Sequence, residues 1–167
     1  VAPVQDAISQ LETEGFLEVR ARVGTRVRVV HLEDMKEHLM VREALECQAA
    51  RFYCGDRVAD NHERLKELAS EAEWDGSDHR EFWRGDYDFH RALVELADCD
   101  MLLEEFDRIM PLGCFFAINT YIPEATTERA SHLDLLDSLT TEDHDQSEKA
   151  MRSHIRAGKG MLSWPSS

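Results

Sequence analysis

The chain has 167 residues, with 34 Asp and Glu against 19 Lys and Arg, for a formal net charge of −15. Its 43% hydrophobic and 32% charged residues are those of a globular protein and exclude a disordered tail or a collagen-like chain. It has no run of ~18 uncharged apolar residues and no basic-then-apolar leader, which predicts a cytoplasmic protein without a membrane partner; the acidic average also argues against nucleic acid, whose phosphates call for clustered Lys and Arg.

That average hides two unlike parts. Residues 1–30 carry four Arg (Arg20, Arg22, Arg26, Arg28) and four acids (Asp6, Glu12, Glu14, Glu18), so the whole deficit falls on residues 31–167. Every acid of the first part precedes Arg20, and the stretch from Arg20 to Arg28 is purely basic. Val4, Ala7, Ile8 and Leu11 recur at helical spacing, which predicts a helix over 3–14 with Pro3 in its first turn and Gly15 just past its end. Phe16-Leu17-Glu18-Val19 and Arg26-Val27-Arg28-Val29-Val30 flank Gly24 as β-branched, partly alternating runs and predict a hairpin. A helix followed by a basic hairpin is the closing part of a winged helix-turn-helix. Any short α+β segment can share that outline.

From residue 32 onward the period is helical. Helices are predicted at 32–54, 59–74, 78–98, 101–120, 123–140 and 144–160, broken by Gly55-Asp56, by Asp75-Gly76-Ser77, by an Asp98-Cys99-Asp100 turn with Asp100 as N-cap, and by Pro123. Six helices in this span make an all-α antiparallel bundle. The domains are therefore 1–30 and 31–167. Cys47, Cys54, Cys99 and Cys114 are scattered without a C-x-x-C pair, against both a disulfide scaffold and a zinc ribbon.

A carboxylate and an imidazole four residues apart share one helix face, as metal ligands do. The spacing occurs at Asp34/His38, Asp75/His79 and Asp86/His90, and in so acidic a chain two of these are expected to be accidents. Asp86/His90 stands out because Phe82, Phe89, Leu93 and Ala97 share its face, which turns both side chains into the bundle. The same projection turns His132 inward with Ala125, Leu135, Leu136 and Leu139, and His154 inward with Ala150, Met151 and Met161. Singly, each reads as a hydrogen-bonded core histidine. Together, one carboxylate and three imidazoles form a donor set suited to Zn²⁺, Ni²⁺ or Mn²⁺. Arg42 also lies on an inward face, with Met35, Leu39, Leu45, Ala49 and Tyr53; it is either paired with Glu46 one turn on or available as a fork for a carboxylate.

The stretch from Pro3 to Leu17, PVQDAISQLETEGFL, resembles the end of the GntR-type DNA-binding domain, and Arg22-Val23-Gly24-Thr25-Arg26-Val27 resembles its wing. Arg42-Glu43-Ala44-Leu45-Glu46, Asp86-Tyr87-Asp88-Phe89-His90, His132 and His154 resemble the FCD ligand-binding domain of the FadR subfamily. The resemblance implies a bacterial, dimeric transcription regulator. It implies a divalent metal, Zn or Ni, held by Asp86, His90, His132 and His154, and a small organic acid effector with Arg42 beside it. It assigns operator contacts to Pro3, Gln5, Arg22, Gly24, Thr25 and Arg26. Effector binding would change the spacing of two DNA-binding heads on a pseudo-palindromic site.

Three departures from the family pattern carry expectations. The sequence begins within the recognition helix, so this polypeptide by itself is expected to bind DNA poorly. Gln5 stands where the family usually has Arg, and Gln favours adenine where Arg favours guanine. Cys99-Asp100 replaces the usual Gly-Asn between two bundle helices. Two other functions compete with the sensor. One is a metal-dependent hydrolase or lyase on the same Asp/His₃ site, with Glu128 as its only obvious base. The other is a dimerisation bundle whose buried histidines are structural.

Overall fold

The computed structural model describes residues 2–73, 78–119 and 131–157. Helix α1 (Ala2–Thr13) ends where Gly15 adopts φ +88°, with the amides of Gly15 and Phe16 bonded back to the Glu12 and Leu11 carbonyls. This is the paired closure that a left-handed residue permits just past a helix end. Strands β1 (Leu17–Arg20) and β2 (Gly24–Val27) then pair antiparallel, Leu17 opposite Val27 and Glu18 opposite Arg26. The connecting turn is closed by the Val23 amide on the Arg20 carbonyl and holds Arg22 at φ +66°, a conformation that usually falls to Gly. Helix and hairpin are thus as predicted.

Helix α2 (Leu32–Tyr53) starts on a capping box in which Asp34 accepts from the His31 amide at 2.8 Å. It runs through the bundle and packs against α5 (His79–Glu95), α6 (Asp100–Asn119) and α8 (His144–Arg156). Between α2 and α5 lie α3 (Asp56–Asp60) and α4 (His62–Glu71), and α7 (His132–Ser138) precedes α8. Tyr53, Phe89, Phe106, Leu136, Met151 and Ile155 are fully buried where these helices meet. Of the helices described after residue 31 there are seven, not six. Asn61, at φ −108° and ψ 9°, divides the predicted 59–74 helix, and no Gly or Pro announces the break.

Other boundaries also move. Helix α6 begins at Asp100 itself, with the Cys99 carbonyl taking the Leu103 amide, so Asp100 lies in the first turn and is not the N-cap. The predicted 123–140 helix is not continuous: Ser131 is an extended N-cap whose hydroxyl accepts from the Asp134 amide, and α7 begins after it. Pro123, Asp75, Gly76 and Ser77 lie outside the described residues.

The N-terminal part buries none of its own α1 residues but rests on the bundle. Phe16 meets Phe115 of α6 edge-to-face at 5.4 Å, and Gly15 lies against Leu112. Arg28 turns inward, pairing with Asp34 and lying 5.4 Å over the Phe116 ring, so it belongs to this contact and not to the outer face of the hairpin.

An ion cluster closes the α2–α8 seam. Glu43 accepts from Arg156 at 2.7 Å and from Arg152, while Arg51 reaches Asp145 and Glu148. Burial opposes the Glu43 charge, but the Arg156 hydrogen bond and the Arg152 charge prevail and hold its carboxyl below the usual range. A lowered folded-state pKa gives stability that is present above the unfolded value and is lost as pH falls through the folded one. Urea midpoints of the wild type and Glu43→Gln are therefore expected to differ at neutral pH and to converge below about pH 4. A gap that stays constant with pH would show that the Glu43 charge contributes nothing.

Candidate metal centre

Helix α5 brings Asp86 and His90 to one inward face, a turn apart. His132 enters as the first residue of α7, and His154 comes from the last turn of α8. One ligand atom from each of the four lies within 4.8 Å of the others. His132 Nε2 is 3.2 Å from Asp86 Oδ1, His90 Nε2 is 3.8 Å from the same oxygen, and the Nε2 atoms of His90 and His154 are 3.3 Å apart. For ligand bonds of about 2.1 Å, a tetrahedral arrangement spaces donors by roughly 3.4 Å and an octahedral one by roughly 3.0 Å. Separations of 3.2–3.8 Å lie near those spacings, so the side chains are placed to close on a small divalent ion.

The surroundings fit as well. Asp86, His90 and His132 are buried, and Phe89 and Phe82 stand against the His132 ring at 5.3 and 6.3 Å. Glu46 Oε2 lies 2.5 Å from His90 Nδ1, leaving Nε2 to face the other donors; a carboxylate behind the imidazole is how metal-bound histidines are commonly oriented. Burial, with the neighbouring His90 and His132, pushes His154 well below the usual imidazole range, and burial likewise lowers His90. A neutral imidazole is the form that binds metal. His154 Nδ1 is buried without a hydrogen-bond partner.

Arg42 joins both carboxylates, at 2.5 Å to Glu46 and 3.2 Å to Asp86 Oδ2. Burial alone would neutralise Asp86 and Glu46, but the Arg42 charge holds Asp86 well below the usual carboxylate range and Glu46 below it. The same two carboxylates keep Arg42 charged against its own burial. The expected Arg42–Glu46 pair is present, and Asp86 joins it from another helix. Cys114 of α6 is beside this cluster; burial, then the Asp86 charge, pushes its thiol up to about 11.

The other candidates are dispersed. Asp34 is occupied by Arg28 and the His31 amide, while His38 lies edge-on to Phe116 and against Gly113, so the Asp34/His38 spacing was accidental. Glu128, Ala125, Met161 and the Asp75/His79 pair cannot be placed, since they fall outside the described residues or side chains. Pro3, Gln5, Arg22, Gly24, Thr25 and Arg26 are all exposed on α1 and the hairpin. Arg26 and Arg20 are not wholly free there, because Glu18 accepts from both. Two contributors carried no sequence signal toward the site: Glu73, which touches the first turn of α7, and Cys114; Tyr53, predicted on the inward Arg42 face of α2, is fully buried there with its hydroxyl unpaired.

Comparison with known proteins adds the lineage. The family model of the FCD domain matches residues 37–157. A Paenarthrobacter nicotinovorans protein named "Probable D-xylose utilization operon transcriptional repressor" is 30% identical over 165 residues, covering 93% of this chain and 70% of its own. The HTH-type transcriptional repressor RspR of Escherichia coli K12 is 24% identical, with 92% and 69% covered. Among solved structures, a GntR regulator from Rhodococcus sp. RHA1 superposes with a TM-score of 0.69 at 18% identity over 95% of this chain and 78% of its own. E. coli McbR/YncC gives 0.68 at 18% identity over 97% and 84%.

Proposed function

Since the chain belongs to the FCD-domain, GntR-type family of bacterial transcriptional regulators, we propose that its bundle is a metal-dependent sensor of a small organic acid whose occupancy modulates operator binding. Its relatives are regulators and not enzymes, so the hydrolase or lyase reading is set aside. The carrying observation is the convergence of Asp86, His90, His132 and His154 donor atoms from three helices within 4.8 Å. Zn²⁺ and Ni²⁺ suit three imidazoles and one carboxylate.

Charge supports the effector class. Asp86 and Glu46 against Arg42 leave one net negative charge in a buried cluster. A dication held there leaves one net positive charge, which a carboxylate entering an open coordination position would cancel, whereas a neutral or cationic ligand would not. Arg42 is the fork that would meet such an acid, once it is drawn partly away from Asp86.

The exposed face of α1 and the hairpin is the reading head for operator DNA, through Pro3, Gln5, Arg22, Gly24, Thr25 and Arg26. Arg22 supports this: it keeps a left-handed backbone at the hairpin tip where Gly would cost less, and strain of that kind marks functional positions. Coupling to the sensor would run through α6, where Leu112, Phe115 and Phe116 carry the head while Cys114, in the same turn, adjoins the Asp86 cluster. Met40, Val41 and Phe52 are exposed along α2 and give a homodimer an apolar seam. No described helix is long and apolar enough to cross a membrane, and the proposed place of work is the cytoplasm.

Purified protein is expected to carry about one metal ion per chain. Zn²⁺ or Ni²⁺ at about 100 times its dissociation constant should add about 2.7 kcal/mol, or roughly 5–10 °C in Tm. His132→Ala and His154→Ala should lose that response, and small hydroxy- and dicarboxylic acids should shift only the metal-loaded protein. Absence of stoichiometric metal, together with variants indistinguishable from wild type, would leave structural histidines as the answer. For the head and the dimer, salt-insensitive binding to the gene's own promoter region, or a monomer by light scattering, would count against the assignment.

A further inference from the structure

We propose that Glu73 is the positioning residue for His132: its carboxylate fastens the first turn of α7 and so sets where that imidazole meets Asp86. The inference rests on the metal-centre reading and adds a residue that neither the donor set nor its immediate neighbours include. Helix α7 has seven residues, too few to hold a helical register unaided. Its amino end is fully tied down. Glu73 Oε1 accepts from the His132 amide at 2.8 Å, the Leu133 amide at 3.2 Å and the Ser131 hydroxyl at 2.8 Å, while Ser131 Oγ in turn takes the Asp134 amide. The first three helical amides are thus satisfied by one distant carboxylate and one N-cap. A carboxylate is the group that this end of a helix favours.

The frame that carries Glu73 also carries Asp86. Glu73 stands one residue past Ala72, the C-cap of α4, and the end of α4 lies so close to α5 that a Cβ on Gly85 would be 2.7 Å from the Glu71 carbonyl and 3.0 Å from Ala72 Cα. Gly85 immediately precedes Asp86. The contacts form a closed circuit: Asp86 to Gly85, Gly85 to the end of α4, Glu73 to the His132 amide, and His132 Nε2 back to Asp86 Oδ1 at 3.2 Å. Cutting it at Glu73 leaves every donor present but frees the backbone beneath one imidazole.

The test uses the full chain and Co²⁺, whose visible absorption reports ligand number and geometry, with His132→Ala as the reference for a lost imidazole. Glu73→Ala is expected to weaken Co²⁺ binding about 10- to 100-fold, the range seen when outer partners of metal ligands are removed, and to move the spectrum toward that of His132→Ala. Glu73→Gln keeps the accepting oxygen and is expected to stay within a few-fold of wild type with an unchanged spectrum. Glu73→Asp keeps the charge but shortens the reach, and is expected to follow Glu73→Ala; it decides the matter if the alanine variant does not fold. Wild-type affinity and spectrum in Glu73→Ala or Glu73→Asp, whatever their thermal midpoints, would overturn the proposal. If the wild type itself binds no Co²⁺, the metal-centre reading fails and this inference with it, an outcome visible before any variant is made.

Discussion

Arg42→Ala is expected to lower the stability of the metal-free protein by ~3–5 kcal/mol, because it leaves two buried carboxylates without their cation. The pair distances of 2.5 and 3.2 Å and the near-complete burial of Arg42, Glu46 and Asp86 put this ion cluster in the class where removing one partner costs far more than the pair itself contributes. At about 2–4 °C per kcal/mol for a domain of this size, the Tm should fall by roughly 6–20 °C. Metal changes the comparison. A dication bound by Asp86, His90, His132 and His154 supplies positive charge on the other side of the same carboxylate, so saturating Zn²⁺ should raise the Tm of Arg42→Ala by more than it raises that of the wild type. Arg42→Lys keeps the charge but not the planar fork, and should fall between them. With metal bound, the alanine variant should also lose stabilisation by added carboxylic acids. Thermal melts of the three proteins with and without Zn²⁺ check every step; equal metal-induced shifts in Arg42→Ala and wild type would mean that Arg42 and the metal do not share Asp86.

The donors could be found in the sequence because each sits on a helix whose phase is fixed by large apolar neighbours. Phe82, Phe89 and Leu93 turn Asp86 and His90 inward, and Leu135, Leu136 and Leu139 do the same for His132; all six of these apolar residues are buried. The i,i+4 pairing of Arg42 with Glu46 was legible for the same reason. Contacts that depend on how helices dock were not. Asp86 reaches Arg42 across 44 positions, and the Glu73 carboxylate finds the His132 amide 59 positions away. No periodicity encodes either. The inward turn of Arg28 belongs to this class too, since a count of charge along the chain cannot see Asp34 and Phe116 closing on it from two helices. Glu18 is the converse case: it precedes the basic stretch in sequence but lies opposite Arg26 across the hairpin, so the pure basic run becomes a paired surface on folding. The division at Asn61 has neither Gly nor Pro to mark it, and Asp60 and Asn61 are only weakly unfavourable in a helix; Val58 and Leu65 are buried on the two short helices that it separates.

Gly85→Ala is the second large effect, and its sign separates packing from propensity. In an exposed helix interior, replacing Gly by Ala stabilises by about 0.8–1 kcal/mol. Gly85 is buried in α5, and the nearest atoms to a new Cβ would be the Glu71 carbonyl oxygen at 2.7 Å and Ala72 Cα at 3.0 Å, both backbone, so no side-chain rotation can relieve the contact. Helices α4 and α5 must separate. The net expectation is a loss of ~1–3 kcal/mol, the usual cost of overpacking, read as a fall in urea midpoint without a change in m-value. The same displacement moves Asp86, one residue on, relative to the end of α4 and to the α7 turn that Glu73 anchors there, so metal affinity should fall along with stability. A Gly85→Ala variant that is more stable than wild type, or that binds metal as wild type does, would mean that the α4–α5 contact is looser than the backbone distances require and that the metal donors are not set by it.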